Sequence, residues 1–220
     1  MFQQICMQLI DGLGRTLIIF FLTLIFSLPL GLLVCFGRRS KFKPLSWLVR
    51  VIIDILRGTP LMLQLLVVFY GPYFLFGMKL NPSWRFAALI IGFVINYSAY
   101  FAEIYRAGIE SIPIGQYEAA EVLGYSRSQT FMKIILPQMV KRVIPPVTNE
   151  IITLVKDTSM AFVLAITPPE MFTLAKQIAA KGVRTGGITA LFVAGLFYFV
   201  LNAIVSWLMS KLEKKLSYYQ

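Results

Sequence analysis

The chain has 220 residues, 58% of them hydrophobic and 14% charged, and its mean hydropathy of +0.74 excludes an ordinary soluble domain and indicates a membrane protein. In a soluble protein a net charge of +11 would suggest binding to nucleic acid. In a membrane protein, basic residues collect in the cytoplasmic loops. Because there is no histidine, and because Cys6 and Cys35 lack a metal-ligand spacing, we expect no metal site and no structural disulfide.

Five apolar stretches are candidate membrane spans. A hydrocarbon core about 30 Å thick requires about 20 residues of helix, since each residue rises about 1.5 Å. Uncharged stretches of this length occur at residues 16–37, 58–78 and 185–210. Two less apolar stretches are added to these three, at residues 86–108 and 137–156. The five predicted spans are therefore about residues 16–37, 56–78, 86–108, 137–156 and 186–210.

The stretch at residues 137–156 is the least apolar of the five, because it contains several prolines and charged residues, and hydropathy alone leaves it undecided. Residues 38–57 contain six Lys and Arg, whereas residues 79–85 contain two, so the positive-inside rule places residues 38–57 in the cytoplasm. Counting 137–156 as a span also brings the basic C-terminal residues to that side. We therefore predict five spans, with the N-terminus outside and the C-terminus in the cytoplasm.

The loop between the third and fourth spans, about residues 114–136, is too polar and too short to cross a membrane. Its alanines favour a helix, Gly124 favours the end of that helix, and a second helix is predicted to start at Ser126 or Ser128. From these residues alone, the segment is either a solvated connecting loop with helical turns or a docking surface for another protein.

Several motifs in the chain resemble those of one transporter family. Glu118-Ala119-Ala120, Gly124 and Ile135-Leu136-Pro137 resemble the EAA loop of bacterial ABC importer permeases, with the small departure that Ile135 directly precedes Leu136. Four further segments are similar to the five-span permeases of the polar amino acid uptake branch, and they lie at residues 57–61, 96–104, 106–109 and 156–159. The resemblance covers nearly the whole chain.

The resemblance implies an all-α fold, that of a type I ABC importer permease. Residues 1–220 would form one polytopic transmembrane domain, with five membrane-spanning helices and short cytoplasmic coupling helices, in a bacterial cytoplasmic membrane. It also implies ATP-driven import of a polar or charged L-amino acid, with arginine, lysine, histidine, glutamine and cystine all left open. The implied partners are a second permease copy, identical or paralogous, two ATPase subunits and an extracytoplasmic amino-acid-binding protein.

The resemblance further implies that the chain is not an enzyme and holds no cofactor of its own. It contains no GxxxxGK[ST] sequence, so ATP and magnesium would be bound by the partner ATPase. The EAA loop would form the coupling helices that contact this ATPase. The predicted coupling residues are Gln116, Tyr117, Glu118, Ala119, Ala120, Glu121, Leu123, Gly124, Tyr125 and Ser126.

Charged and amide side chains within predicted spans are candidates for substrate binding. An ionisable group in a span is unfavourable unless it is paired or faces a cavity, and Glu150 and Asp157 are spaced by about two helical turns. Carboxylates accept the ammonium of a zwitterionic ligand, and hydroxyl, amide or ammonium groups donate to its carboxylate. The predicted substrate-binding residues are Asn96, Tyr97, Ser98, Glu150, Thr153, Lys156 and Asp157.

Simpler interpretations of these residues remain. Lys156 and Asp157 would also suit a solvated pair at the outer interface, and Asn96 would also suit a hydrogen bond to a neighbouring helix. The segment Arg57-Gly58-Thr59-Pro60 is predicted either as a gate or hinge, or as a plain helix start.

Two other classes of protein compete with an importer subunit. An intramembrane enzyme would require a catalytic set, but the sequence contains no HExxH or GxSxG motif. A self-contained secondary carrier or channel would use the same intramembrane charges, but it has no need of an EAA loop.

Overall fold

The computed structural model describes residues 2–182 and 187–217, and the regular structure within these ranges is helical throughout. The α-helices are, in chain order, α1 (Phe2–Arg38), α2 (Lys43–Gly58), α3 (Leu61–Phe76), α4 (Pro82–Glu110), α5 (Ile114–Val122), α6 (Arg127–Thr130), α7 (Leu136–Asp157), α8 (Met171–Ala180) and α9 (Gly187–Ser217). A π-helical turn (Phe131–Ile135) precedes α7, and a 3-10 helix (Thr158–Leu164) follows it.

The centre of the fold is the contact between α1 and α4. Phe93, Tyr97 and Phe101 recur every four residues along α4, so their rings lie on one face of the helix and are buried in the main apolar cluster. Gly31 of α1 faces this helix so closely that a Cβ atom there would lie 2.8 Å from the Cβ of Phe101. The absence of a side chain at this position therefore permits the two longest inner helices to pack directly.

The second predicted span, residues 56–78, is not one continuous helix, because it contains a break at Thr59-Pro60. Thr59 and Pro60 are both extended, α2 ends before them, and α3 starts at Leu61 with a bend of 114° between the two helices. Proline has no backbone N–H and disfavours the helical conformation in the residue before it, so the helix breaks here. The apolar helix is α3, which is shorter than the predicted span.

The helices α6 and α7 belong to one continuous helical segment interrupted by the π-helical turn Phe131–Ile135. Pro137 lies in the first turn of α7 and has no N–H to donate to a preceding carbonyl. A wider π-helical turn before it accommodates the missing bond without ending the helix. The predicted coupling segment, residues 114–136, therefore continues without a break into α7, which carries candidate substrate residues.

Glu170 begins α8 and lies outside the predicted spans. Its carboxylate accepts hydrogen bonds from the backbone N–H groups of Phe172 and Thr173, at 2.5 and 2.7 Å, and so caps the helix. Thr16 of α1 accepts a further bond from the N–H of Met171, which ties this helix start to α1. Burial raises the pKa of Glu170, while the bonds from Thr173 and the two backbone N–H groups oppose that rise.

Three of the described helices, α1, α4 and α9, are long and apolar enough to cross a membrane, and the bent pair α2 and α3 qualifies when it is counted together. The predicted spans at residues 16–37 and 86–108 lie within α1 and α4. The span predicted at 186–210 lies in α9, except for residue 186, which is outside the described residues. The crossing by α7 stays a prediction.

Candidate functional site

A hydrogen bond joins α4 to the end of α7 where the predicted substrate residues lie. The Tyr97 hydroxyl donates to Oδ2 of Asp157 at 2.7 Å. Tyr97 is 2% exposed and its ring stacks on Phe93, whereas Asp157 is half-buried. The carboxylate of Asp157 is therefore held in one position by a buried phenol while part of the residue remains accessible.

Glu150 lies about two turns before Asp157 on α7, and it is also half-buried. Among the residues that the structure describes, its carboxylate has no hydrogen bond or salt bridge, but the positive charge of Arg57 acts on it across the gap between α2 and α7. Thr153 is half-buried between the two acids, and Lys156 is exposed beside Asp157. The structure thus brings Tyr97, Glu150 and Asp157 within electrostatic reach of one another.

Asn96 and Ser98 do not join this group, although the sequence analysis placed them there. The Asn96 amide donates to Oε1 of Gln64 at 2.9 Å, on the α2–α3 side of α4. The Ser98 hydroxyl donates to the Ile95 carbonyl of its own helix at 2.8 Å. Consecutive residues of a helix point about 100° apart, and the partners of Asn96, Tyr97 and Ser98 lie in α3, at the end of α7 and within α4 itself. The simpler interpretation of Asn96, a helix-to-helix bond, describes its contact.

The segment Arg57-Gly58-Thr59-Pro60 forms a bonded corner between α2 and α3. The Gln64 amide donates to the carbonyl of Leu56 at 2.8 Å, and to the carbonyl and hydroxyl of Thr59 at 3.0 and 2.8 Å. The Arg57 guanidinium lies over the ring of Tyr100 on α4, 5.4 Å from its centroid. The segment is a tight corner with Pro60 at the N-cap of α3, and its role as a gate or hinge stays a prediction.

A groove of about 510 Å³ extends from this corner between α4 and α7. Arg57 of α2, Glu103 and Arg106 of α4, and Arg142 and Pro146 of α7 line it. Pro146 is one helical turn before Glu150, so the groove begins close to the acidic residues of α7. Its lining contains more basic than acidic side chains.

An ion-pair cluster joins the ends of α1 and α4. Arg106 donates to Glu103 at 2.7 and 2.9 Å and also pairs with Glu110. Arg38 and Arg39 approach the same two carboxylates, Arg38 lying 3.8 Å from Glu103 and Arg39 lying 3.7 Å from Glu110. The cluster fastens the two central helices together beside the groove.

The coupling segment consists of two short helices joined by a sharp turn. Gly124 has φ +74, a left-handed conformation that glycine adopts without strain, and it ends the turn after α5. The Ser126 hydroxyl accepts from the N–H of Gln129 at 3.3 Å, while the Gln129 side chain accepts from the N–H of Ser126 at 2.8 Å. This reciprocal cap confirms the predicted helix start at Ser126.

Several large apolar side chains are exposed on the predicted coupling segment. Val122 is 88% exposed and Leu123 is 72% exposed, and Ile114 at the other end of α5 is also largely exposed. Ala120 faces inward and is fully buried, so it attaches α5 to the body. Large apolar side chains left open on a well-capped turn are typical of a protein-interaction site.

Side chains of α7 bond to α5 and to the turn just before it. Gln138 of α7 donates to the Gln116 side chain at 3.1 Å, and Arg142 donates to the carbonyl of Ser111 just before α5. Arg142 also lines the groove near Arg57. The helix α7 thus carries both of these contacts as well as Glu150 and Asp157.

The structure places several residues at these sites that the sequence motifs do not single out. Gln64 was overlooked because it is an isolated polar residue in an apolar run, although that isolation is itself a signal of a buried partner. Glu103, Arg106 and Glu110 have the three- and four-residue spacing of helical ion pairs, which the sequence does show. Val122 was missed because an apolar residue in a helix is ordinarily a core residue.

Comparison with known proteins identifies the family. Residues 27–218 match the family model described as "Binding-protein-dependent transport system inner membrane component". The L-cystine transport system permease protein TcyB of Bacillus subtilis is 34% identical over 94% of this chain and 86% of its own length. The arginine transport system permease protein ArtQ of the same organism is 33% identical, over 94% of this chain and 92% of its own length.

Solved structures agree with this match. A crystal structure described as an amino acid ABC transporter with histidines superposes with a TM-score of 0.84 at 32% identity, and covers 94% of each chain. The MetNI methionine ABC transporter, in an inward-facing form, superposes with a TM-score of 0.71 at 18% identity over 97% of this chain and 96% of its own, which shows a shared fold. The resemblance drawn from the EAA loop is confirmed. The chain belongs to the family of binding-protein-dependent transport system inner membrane components, the multi-pass permease subunits of ABC importers, which are transport components and not enzymes.

Proposed function

We propose that this chain forms half of the translocation pathway of an ATP-driven importer for a polar or charged L-amino acid. The curated relatives are named for cystine, arginine and glutamine transport. These three compounds differ in their side chains but share an α-ammonium and an α-carboxylate group. The feature to look for in this chain is therefore a site for those two groups.

The acidic pair on α7 is the observation that carries the proposal. Glu150 and Asp157 lie on one face of the helix, both half-buried, and the Tyr97 hydroxyl holds the Asp157 carboxylate in place. A carboxylate fixed in this way is a directed acceptor for an ammonium group. Arg57, whose charge reaches Glu150, and Lys156 supply donors for the ligand carboxylate.

The same arrangement supports a path toward the cytoplasm. The groove begins near Glu150 and continues past Arg57 and Arg142, and the lining of this exit is predominantly basic. After passing the acidic pair, the ligand enters a region where its ammonium group has fewer acceptors. Weakened binding of the ammonium favours release.

The exposed surface of α5 is the proposed contact with the ATPase subunits. The partner ATPase subunits bind ATP and magnesium. Their closure moves α5, and the bonds of Gln138 and Arg142 pass this movement to α7. The complete complex contains a second permease copy, two ATPase subunits and an extracytoplasmic amino-acid-binding protein. The N-terminus of this chain lies outside and its C-terminus in the cytoplasm, as the basic loops indicate.

The experiment is a reconstitution of the purified complex in liposomes, with ATP hydrolysis measured against a panel of single L-amino acids and their binding protein. We expect one class of amino acid to stimulate hydrolysis, and Glu150→Gln and Asp157→Asn to reduce that stimulation at least tenfold without loss of assembly. Glu213→Gln, the same chemical change in α9, is the matched control and should retain the stimulation. Unchanged stimulation in both pathway variants would contradict the substrate site.

A self-contained secondary carrier makes the opposite prediction. It would purify without an ATPase and take up amino acids in liposomes that contain no ATP. If no ATPase copurifies and no amino acid stimulates hydrolysis, the coupling role of α5 is wrong and the carrier takes its place.

A further inference from the structure

Arg57 lies beside the middle of α4 and has no acidic side chain in ion-pair contact. Its position follows from Leu56, the residue before it, whose carbonyl accepts from the Asn96 amide of α4 at 3.4 Å. Among the residues that the structure describes, the Arg57 guanidinium makes no hydrogen bond or salt bridge. A charged group at such a depth is unfavourable unless it is paired or faces a cavity, and this one lines the groove. Its N–H donors are therefore free for a ligand.

An aromatic ring holds this guanidinium in place of a carboxylate. The Cζ atom of Arg57 lies 5.4 Å from the centroid of the Tyr100 ring, within the range of a cation–π contact. Tyr100 is half-buried on α4, and its ring centroid lies 6.3 Å from that of Tyr97, which is buried. The ring under Arg57 thus belongs to the helix that carries the hydroxyl partner of Asp157.

A ring and a carboxylate affect the N–H donors of an arginine differently. A carboxylate occupies these donors and offsets the charge, as Glu103 does for Arg106, which donates two bonds to it. A ring contacts the flat face of the guanidinium and leaves the donors at its edge free. Stacking also restricts the long arginine side chain before a ligand arrives, so less conformational freedom is lost on binding. Tyr100 thus keeps Arg57 both ordered and unpaired.

The charge of Arg57 reaches two acids. Glu150 lies near the start of the groove and Glu103 lies in its wall, and the positive charge of Arg57 acts on both. Glu103 already bonds to Arg106 at 2.7 Å, so of the two acids Glu150 is the one left for a ligand ammonium. A zwitterion at Glu150 therefore has a carboxylate donor beside it, in the gap between α2 and α7.

We propose that Tyr100 is a positioning residue that stacks on Arg57 and thereby gives the site its selectivity for the α-carboxylate of an amino acid. This rests on the function proposed above, since it requires a ligand with that carboxylate. Tyr100 acts through Arg57, because Arg57 lines the groove and Tyr100 does not. The position requires an aromatic face, so phenylalanine should replace Tyr100 and leucine should not.

The experiment is equilibrium binding of radiolabelled L-arginine, L-glutamine and L-cystine to the purified complex in detergent. The binding protein is left out, so that its own selectivity does not enter. The unlabelled α-carboxamide of each amino acid, which lacks the carboxylate charge, is the competitor. We expect the wild type to prefer the acid over the amide by about 100-fold, as the loss of a charge-assisted hydrogen bond implies.

Single variants test the stacking contact. Tyr100→Leu and Arg57→Gln should each lower the preference for the acid to about tenfold, and Tyr100→Phe should keep it. Phe86→Leu is the matched control, because it removes the ring that Arg15 lies over at 5.2 Å, and it should also keep the preference. An unchanged preference in Tyr100→Leu would overturn the proposal and leave the importer function intact.

The double variant R57Q/Y100L separates positioning from direct contact with the ligand. It should bind the acid no more weakly than Arg57→Gln alone, because Tyr100 acts only through Arg57. A further tenfold loss would overturn the proposal and make Tyr100 a ligand contact itself.

Nuclear magnetic resonance tests the stacking without any ligand. The Nε–H signal of Arg57, assigned by its absence in Arg57→Gln, should be shifted upfield by the ring in the wild type and in Tyr100→Phe. This shift should disappear in Tyr100→Leu. Identical signals in Tyr100→Leu and the wild type would overturn the proposal even if none of the three amino acids binds, whereas that absence of binding would count against the importer function.

Discussion

The inner helix α4 and the coupling helices α5 and α6 are specified in opposite ways. Much of α4 is buried, and of its successive residues Asn96 bonds to α3 and Tyr97 bonds to the end of α7. On α5 only Ala120 is buried, while Val122 and Leu123 are open. The position of α4 therefore follows from packing within the chain. The shape of the coupling segment follows from its own caps, and its surface is left for another protein.

This contrast separates two kinds of failure. A change in the packing of α4 should lower the stability of the whole protein, because the helix touches α1, α3 and α7. A change on the open surface of α5 should leave the stability of the protein unchanged and weaken only its association with a partner protein.

The close approach of α4 and α7 at Gly108 gives the largest expected effect. A side chain here would overlap Cγ1 of Val143, which is a stiff β-branched residue. Gly108→Val should therefore destabilise the protein by about 3 kcal/mol, measured as thermal unfolding in detergent. Gly195→Val in α9, where nothing lies within 4 Å, is the matched control. Equal effects of both variants would show that α4 is not held by this contact.

The open surface of α5 is tested by Val122→Asp. A charge at a fully exposed site leaves the fold unaffected, but at the centre of an apolar contact it should weaken ATPase association by about thirtyfold, about 2 kcal/mol. Thermal unfolding of the permease and copurification of the ATPase measure the two effects separately. Ser128→Asp, also exposed and in the first turn of α6, should change neither. A loss of stability in V122D would place this residue in the core instead.

The cap at Ser126 tests whether the coupling segment is shaped locally. Ser126→Ala removes the acceptor for the N–H of Gln129 and should destabilise α6 by about 1 kcal/mol. Hydrogen exchange at residues 127–130 should then become about fivefold faster while the exchange of α4 is unchanged. Ser128→Ala is the control within the same helix. Faster exchange in α4 as well would mean that the two regions unfold together.

The bond between Asn96 and Gln64 gives the smallest expected effect. A double-mutant cycle with Asn96→Ala and Gln64→Ala should yield a coupling free energy of about 0.6 kcal/mol, typical of hydrogen bonds between membrane helices. Ser98→Ala replaces Gln64→Ala in the control cycle, since Ser98 bonds within its own helix. A coupling energy near zero in the first cycle would remove the corner from the connection between α2 and α4.

The sequence predicted the long helices and the coupling segment well because both depend on neighbouring residues. Apolar runs, the Gly124 helix end and the Ser126 helix start are local features of the chain, and the structure has them. The break at Pro60 was visible as well, but the apolar run across it hid the change of direction. The angle of a break depends on what the two helices pack against, so the sequence did not contain it.

The candidate substrate site was predicted in part. The spacing of Glu150 and Asp157 on one helix was sufficient to place both on one face. The spacing did not predict the partners of Asn96, Tyr97 and Ser98, because Asn96 bonds to α3, Tyr97 bonds to α7 and Ser98 bonds within α4. Their assignment requires the positions of α2, α3 and α7 around α4, which no local pattern encodes.

By itself the sequence determined that this is a membrane protein and that its EAA loop is that of an importer permease. The basic loops gave its predicted orientation. These properties follow from composition and from short motifs. Only the tertiary structure decided that α2 turns away from α3, that Tyr97 holds Asp157, and that Val122 is open. Each of these depends on contacts between segments far apart in the chain, and such contacts form only when the helices pack.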